Sequence, residues 1–480
     1  MQQLTGLDAS FLNMESGPVY GHVSSLCIYD SSNAANPLTV ERVRDRVASR
    51  LHRIPMFRRK LLEVPMNLDH PYWVDAETFD IDDHVYGVGL PAPGSRAQLM
   101  DIVTRLVAKP LDRSRPLWEL AVINGLEDGK VAVLSMVHHA LIDGASGTDL
   151  MGTLLDTDPD IEAVTPEPVP WQPRPAPDPM TLLSSAMTAN ALRPFKAAQM
   201  QWELFTHFAK WPPGGALAQM MSRPIANPSG PRTPFNTRPT SRRTFSAFQV
   251  PLAEVKAIKR EFGATVNDVV MAICAGGVRR WLADRDALPD GPLKAAVPVS
   301  IRTENDKDSM GNKVSMIMAD LPTHLSDPVE RLAAVNKAME IAKTEHGALP
   351  VQTIIGLSDF AVPAIAATAA RELQRTNLTG HVMPANVVIS NVPGPQQPIY
   401  LAGSELLEFY PVSMIADGQA LNITLHSYNG SLDFGLIGCP RAVPEIDRMA
   451  EYILDEHQLL LERMTPEQPE APAPSTSEDS

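Results

Sequence analysis

A chain of 480 residues is too long for one ordinary compact domain and suits two that share an interface. Its composition, 44% hydrophobic and 20% charged, is that of a globular protein able to bury two sizeable cores. The formal net charge of −15 counts against nucleic acid as a partner, because phosphate backbones reward clustered Lys and Arg.

The amino terminus, Met1-Gln2-Gln3-Leu4-Thr5-Gly6-Leu7-Asp8, lacks the basic start and apolar core of a secretory signal. Residues 1–158 then alternate short β-rich runs with amphipathic helical patterns. Residues 23–29 read as a strand and 39–51 as a helix, with apolar positions at helical spacing. The helical pattern returns over 97–108, residues 120–123 and 131–137 read as strands, and Gly144 opens a helix predicted through 155. An α/β or α+β layered half follows from that alternation. Residues 159–239 form a proline-punctuated, semi-rigid linker that carries a helical pattern over 181–210. In it Trp202, Phe205, Phe208 and Trp211 fall near one helical face, with Phe195 upstream, which suits either packing on the protein or contact with a lipid surface.

The second half spans 240–463. Residues 250–262 read as a strand end and helix, 265–282 as a long apolar helix, and 328–344 as a further helix. Strands are predicted over 293–299, 314–319, 387–390, 421–428 and 432–437. The tail, from about 464 to 480, is Pro-, Glu- and Ser-rich and is expected to be disordered. No stretch free of charge, proline or polar breaks is long enough to span a bilayer, so a cytoplasmic protein is expected. Cys27, Cys274 and Cys439 lie far apart with no Cys-x-x-Cys pair, which indicates neither a zinc knuckle nor a disulfide scaffold.

Chemistry concentrates in Met136-Val137-His138-His139-Ala140-Leu141-Ile142-Asp143-Gly144. Two histidines end a β-run and are followed by an acid and a glycine. A neutral imidazole near pH 7 can take a proton from a hydroxyl when a second hydrogen bond fixes its tautomer. Asp143 could fix the histidines or hold the turn through a basic partner, and Gly144 permits a close backbone approach. Three other readings stand beside this one. A buried structural histidine pair is the default for His-His alone. A metal site lacks a third ligand at usual spacing. A nucleophile relay lacks a Gly-x-Ser-x-Gly elbow, and Ser135 precedes the histidines inside the strand.

The His-His-x-x-x-Asp-Gly pattern resembles that of the CoA-dependent acyltransferase superfamily, which includes chloramphenicol acetyltransferase-like enzymes and peptide-synthetase condensation domains. Pro110-Leu111-Asp112-Arg113-Ser114-Arg115-Pro116-Leu117-Trp118-Glu119 resembles the Pro-Leu-Trp block of the bacterial wax ester synthase/diacylglycerol acyltransferase family. Val266-Asn267-Asp268-Val269-Val270 is similar to that family's Asn-Asp block. Pro298-Val299-Ser300-Ile301-Arg302 and Ser390-Asn391-Val392-Pro393-Gly394-Pro395 are similar to its C-terminal half. The opening Leu7-Asp8-Ala9-Ser10-Phe11-Leu12 reads like members from mycobacteria, and the likeness covers nearly the whole chain except the tail.

The resemblance implies two chloramphenicol acetyltransferase-like halves with the active-site channel at their interface. It implies His139 as general base beside His138, and direct transfer from acyl-CoA without an acyl-enzyme. Long-chain acyl-CoA is then a co-substrate and the acceptor is diacylglycerol or a fatty alcohol, with no metal or redox cofactor required. Transfer to another lipid or sugar acceptor, or a non-catalytic lipid-binding role, is the alternative. Asp143 is expected to pair with Arg302 and support the motif with Gly144. Pro116, Leu117 and Trp118 either shape the acyl channel or pack the following strand. Asn267 and Asp268 either line the substrate channel or cap a helix. Asn267 and the Ser390-Asn391 turn are candidate oxyanion donors. Arg242 and Arg243 either meet CoA phosphates or form a solvated pair. Barely soluble substrates imply contact with the inner face of the membrane or with lipid droplets.

Overall fold

The computed structural model describes residues 1–15, 17–32, 37–141, 152–159, 171–192, 230–300, 314–346 and 385–464. Asp143, Gly144, Arg302, the aromatic residues from Phe195 to Trp211 and the tail beyond 464 lie outside these described residues, as does the start of the helix predicted at Gly144.

The first half begins with β1 (Gln2–Gln3) and α1 (Gly6–Met14), whose Thr5 cap accepts a hydrogen bond from the Asp8 amide at 3.1 Å. There follow β2 (His22–Tyr29), α2 (Val40–Arg50), β3 (Arg59–Leu62), β4 (Tyr72–Asp75), β5 (Val85–Gly89) and α3 (Arg96–Leu106). Apolar spacing makes the helices: Val43 and Val47 bury one face of α2, Leu99 and Val103 one face of α3. A capping box between Ser95 and Gln98 starts α3. The strands β6 (Trp118–Asn124) and β7 (Val131–His138) close this half. β7 is nearly all apolar because it is a central strand, flanked by β2 and β6.

The second half runs β8 (Thr244–Pro251), α4 (Leu252–Glu261), α5 (Val266–Ala283), β9 (Leu293–Ser300), β10 (Val314–Leu321), α6 (Pro328–His346) and β11 (Val387–Val392). It ends with β12 (Tyr400–Leu401), β13 (Ser404–Val412), β14 (Leu421–Tyr428), β15 (Ser431–Gly438) and α7 (Ile446–Glu462). Its six-stranded sheet has the order β10-β9-β11-β14-β15-β8, with β11 parallel to both neighbours. α5 is buried around most of its circumference, and α6 and α7 pack against it.

The sheet of the first half has the order β12-β13-β2-β7-β6-β5. Two of those strands come from the far end of the chain. β13 pairs antiparallel with β2, Phe409 opposite Cys27 and Val412 opposite Ser24. The second half therefore lends strands to the sheet that carries His138, a feature no local pattern of residues announces. Buried apolar residues of both halves form one hydrophobic cluster. Among the described residues no helix is long and apolar enough to cross a membrane.

Candidate active site

β7 delivers His138 to the edge of the core, and the next residue leaves the sheet. The His138 amide donates to the Leu117 carbonyl at 2.9 Å, and the His139 amide donates to the Gly21 carbonyl at 2.8 Å. A turn follows, closed by the Leu141 amide on the His138 carbonyl at 2.9 Å. Backbone pairing thus fixes where the two imidazoles start.

Their side chains face different surroundings. His138 is 1% exposed, and its Nδ1 accepts a hydrogen bond from the Ala140 amide at 3.0 Å. An accepting Nδ1 places the ring proton on Nε2. That Nε2 lies 3.3 Å from Glu15 Oε1, an electrostatic contact rather than an aligned hydrogen bond. His139 is half-buried and stacks on Phe11, ring centroids 3.8 Å apart and planes 12° apart. Its Nδ1 is buried with no hydrogen-bond partner among the described residues. Burial, reinforced by the neighbouring His138, pushes its pKa down to about 4. The ring is therefore neutral at physiological pH, the form able to accept a proton.

Glu15, at the end of α1, is the acid next to this pair. Burial acts to raise its pKa, yet His138, the Gly21 amide and Arg113 together hold it down at about 2. The Gly21 amide donates to Oε1 at 2.7 Å; Arg113 donates to Oε2 at 2.6 and 3.2 Å and to the Leu12 carbonyl at 2.9 Å. Position 21 has to be glycine, because a Cβ there would come within 2.7 Å of His138 Nε2 and 3.1 Å of the Phe11 carbonyl. Across the sheet His22 stands opposite His138 in register, its Nε2 3.1 Å from the Val107 carbonyl.

The other residues singled out in the sequence fall into place as follows. Leu117 and Trp118 are fully buried and Pro116 is buried. Trp118 stacks between Phe57 and His84, both at 4.5 Å, and its Nε1–H donates to the Phe57 carbonyl at 2.8 Å, which is packing. Among the described residues Leu117 meets the histidine pair through its carbonyl, which accepts the His138 amide, and Arg113 of the same block reaches the pair through Glu15. Asp268 is buried in the first turn of α5, in a capping box with Thr265, and also accepts from Asn336 at 2.9 Å. Asn267 is half-buried beside it. Ser390 and Asn391 lie in β11 opposite Thr424 and Leu425. No described contact joins Asn267, Asp268, Ser390 or Asn391 to His139.

Arg243 is neither a solvated residue nor free for phosphate: it is buried and donates to the carbonyls of Thr240, Arg242 and Pro18, tying the second half to the first. Among the described residues no group of three or more His, Cys, Asp or Glu could hold a metal. Phe11, Glu15, Gly21 and Arg113 are absent from a reading of the motif, although Phe11 and Arg113 occur in two of the blocks quoted above.

Residues 4–270 match the family model described as the wax ester synthase/diacylglycerol acyltransferase catalytic domain, and residues 310–460 the C-terminal domain of the same family. The chain belongs to the wax ester synthase/diacylglycerol acyltransferase family. It is 36% identical over 449 residues to the Mycobacterium tuberculosis H37Rv protein named "Probable diacyglycerol O-acyltransferase tgs2", covering 93% of this chain and 96% of that one. It is similar to the solved wax ester synthase/diacylglycerol acyltransferase from Marinobacter aquaeolei VT8, at TM-score 0.69 and 30% identity, covering 96% of this chain and 98% of that chain. A condensation domain of the CDA synthetase shares the fold, at TM-score 0.55 and 15% identity over 97% of each chain. This member of the family is an acyltransferase that takes an acyl donor and a lipid acceptor, and the expected two-part fold is confirmed.

Proposed function

We propose that this acyltransferase esterifies diacylglycerol with a long-chain acyl group from acyl-CoA, forming triacylglycerol, and that it makes wax esters when offered long-chain alcohols. The observation that carries the catalytic reading is the neutral, stacked imidazole of His139 beside a ring, His138, whose Nδ1 is taken by the Ala140 amide and whose Nε2 is set against Glu15. The names of the relatives support the acceptor class.

In the proposed scheme His139 accepts the hydroxyl proton of the acceptor while its oxygen attacks the thioester carbonyl. A C–O bond forms, the tetrahedral oxyanion collapses, and the C–S bond breaks. The thiolate of CoA leaves and takes the proton back from the imidazolium, which restores the base. A thiolate is a good leaving group, so the protein's task is chiefly to position two substrates and activate an alcohol. No metal or redox group enters this scheme. Both lipid substrates are barely soluble in water, so turnover is assigned to the surface of the membrane or of lipid inclusions.

The test is release of free thiol from palmitoyl-CoA by the pure protein, with dioleoylglycerol or hexadecanol as acceptor. His139→Ala is expected to lower the rate by about 100-fold or more with an unchanged circular dichroism spectrum. Wild-type turnover by that variant would remove His139 from the mechanism.

A further inference from the structure

We infer that Glu15, braced by Arg113, is a positioning residue that sets the backbone of His139 through a single carboxylate oxygen; the role rests on the reading of His139 as the base. Two separate routes lead from Glu15 Oε1 to His139. In one, Oε1 accepts the Gly21 amide at 2.7 Å, and the Gly21 carbonyl accepts the amide of His139 itself at 2.8 Å. In the other, Oε1 lies 3.3 Å from His138 Nε2, and His138 Nδ1 accepts the amide of Ala140 at 3.0 Å. The first route holds the peptide before His139 and the second holds the peptide after it.

The second route works through a tautomer. A carboxylate beside Nε2 favours the proton on that nitrogen and leaves Nδ1 as an acceptor. Without Glu15 the proton can move to Nδ1, where it would face the Ala140 N–H, donor against donor. The turn that presents His139 would then lose the bond from the Ala140 amide and be held by the Leu141 amide on the His138 carbonyl. Arg113 braces the arrangement from the opposite side, since its two bonds to the carboxylate both go to Oε2 and a third goes to the Leu12 carbonyl in the last turn of α1. The same helix carries Phe11, whose ring covers a face of His139. One acid thus fixes the chain on both sides of the proposed base and ends the helix that shields it.

The division of labour between the two oxygens makes the inference testable in the full-length protein. Glu15→Ala removes both routes; kcat for thiol release from palmitoyl-CoA is expected to fall about 100-fold, with KM changed less than about threefold, because misplacing a catalytic group by about 1 Å has that effect. The acid limb of the pH profile is expected to move upward in this variant, as water reaches the His139 ring. Glu15→Gln in an Arg113→Met background retains an oxygen for Gly21 and His138 without opposing an amide to the guanidinium, and is expected to recover to within about tenfold of wild type. The inference is overturned by a Glu15→Ala enzyme with near wild-type kcat, by a loss confined to KM, or by equal losses in Glu15→Ala and the double variant. His139→Ala run alongside separates the two readings. A dead His139→Ala with a fully active Glu15→Ala removes the positioning role alone, whereas an active His139→Ala removes both.

Discussion

His138 has its Nδ1 taken by the Ala140 amide and its Nε2 set against Glu15, while His139, one residue on, has a buried Nδ1 with no partner among the described residues. Burial depresses the pKa of His139 to about 4, and does the same for His22 and His426. For the reaction, this means the proposed base is unprotonated far below neutrality. The acid limb of kcat/KM is accordingly expected below pH 5, and a limb near the ordinary histidine value of 6.5 in a pH–rate profile would contradict a ring held neutral by burial. For stability the sign is the same. Each of these histidines binds its proton more weakly when folded, so the unfolded chain gains protons first and stability falls as pH drops from about 6.5 to about 4. The pair, the acid and the glycine were legible as a motif, because a β-run ending in His-His-x-x-x-Asp-Gly shows itself in consecutive residues. Glu15 and Gly21 were not legible. They lie far upstream, and nothing adjacent to them in the chain marks a side chain that only the folded sheet brings to His138.

Secondary structure was most legible where burial leaves a period in the chain. The helix α6 matches the one predicted over 328–344 although its residues show little helical period, whereas the strands β14 and β15 and the apolar helix α5 coincide with the runs over 421–428, 432–437 and 265–282, within a residue or two at their ends. β13 shows no such period: Ser404-Glu405-Leu406-Leu407-Glu408-Phe409-Tyr410-Pro411-Val412 mixes acids, aromatics and a proline, and its partner is a strand of the other half. α7 is a different case. Ile446, Met449, Ile453 and Leu460 repeat at helical spacing, so the signal was present in the sequence. Within the helical layer, Arg331 of α6 meets Glu456 of α7, side chains 1% and 6% exposed, beneath Gly276 of α5. A buried ion pair is costly to break from one side, because the remaining charge stays desolvated. Arg331→Met is expected to destabilise by about 3–5 kcal/mol in urea unfolding. Adding Glu456→Leu should return most of that loss, and equal stability of the single and double variants would show that the pair is not what matters there.

At the scale of the whole molecule, the two halves are knitted by strands rather than merely apposed. β13 leaves the second half to extend the first sheet, Arg243 reaches back to the Pro18 carbonyl, and Arg96 of α3 bonds Glu408 at 3.0 Å and the Ala247 carbonyl at 3.2 Å. In the middle of this seam Asp433 of β15 is fully buried. Its Oδ2 accepts the Phe409 amide at 2.7 Å and its Oδ1 accepts Gln249 Nε2–H at 2.9 Å. Burial nonetheless pushes its pKa up to about 6, with Glu408 adding to the rise and the two hydrogen bonds opposing it. The sign here is opposite to that of the buried histidines. The folded carboxyl holds its proton to a higher pH than the unfolded one, so the folded state loses stability as pH rises from about 4 to about 6, by up to about 3 kcal/mol. Asp433→Asn keeps an oxygen for the Phe409 amide, and its NH2 can donate to Gln249 once that amide turns over. The substitution is therefore expected to raise the urea midpoint at pH 7.5 by an amount worth about 1–2 kcal/mol, and to change it much less at pH 4.5. A gain that is equal at the two pH values would mean the seam is insensitive to that charge, and a loss at both would mean the hydrogen bonds of Asp433 outweigh its desolvation.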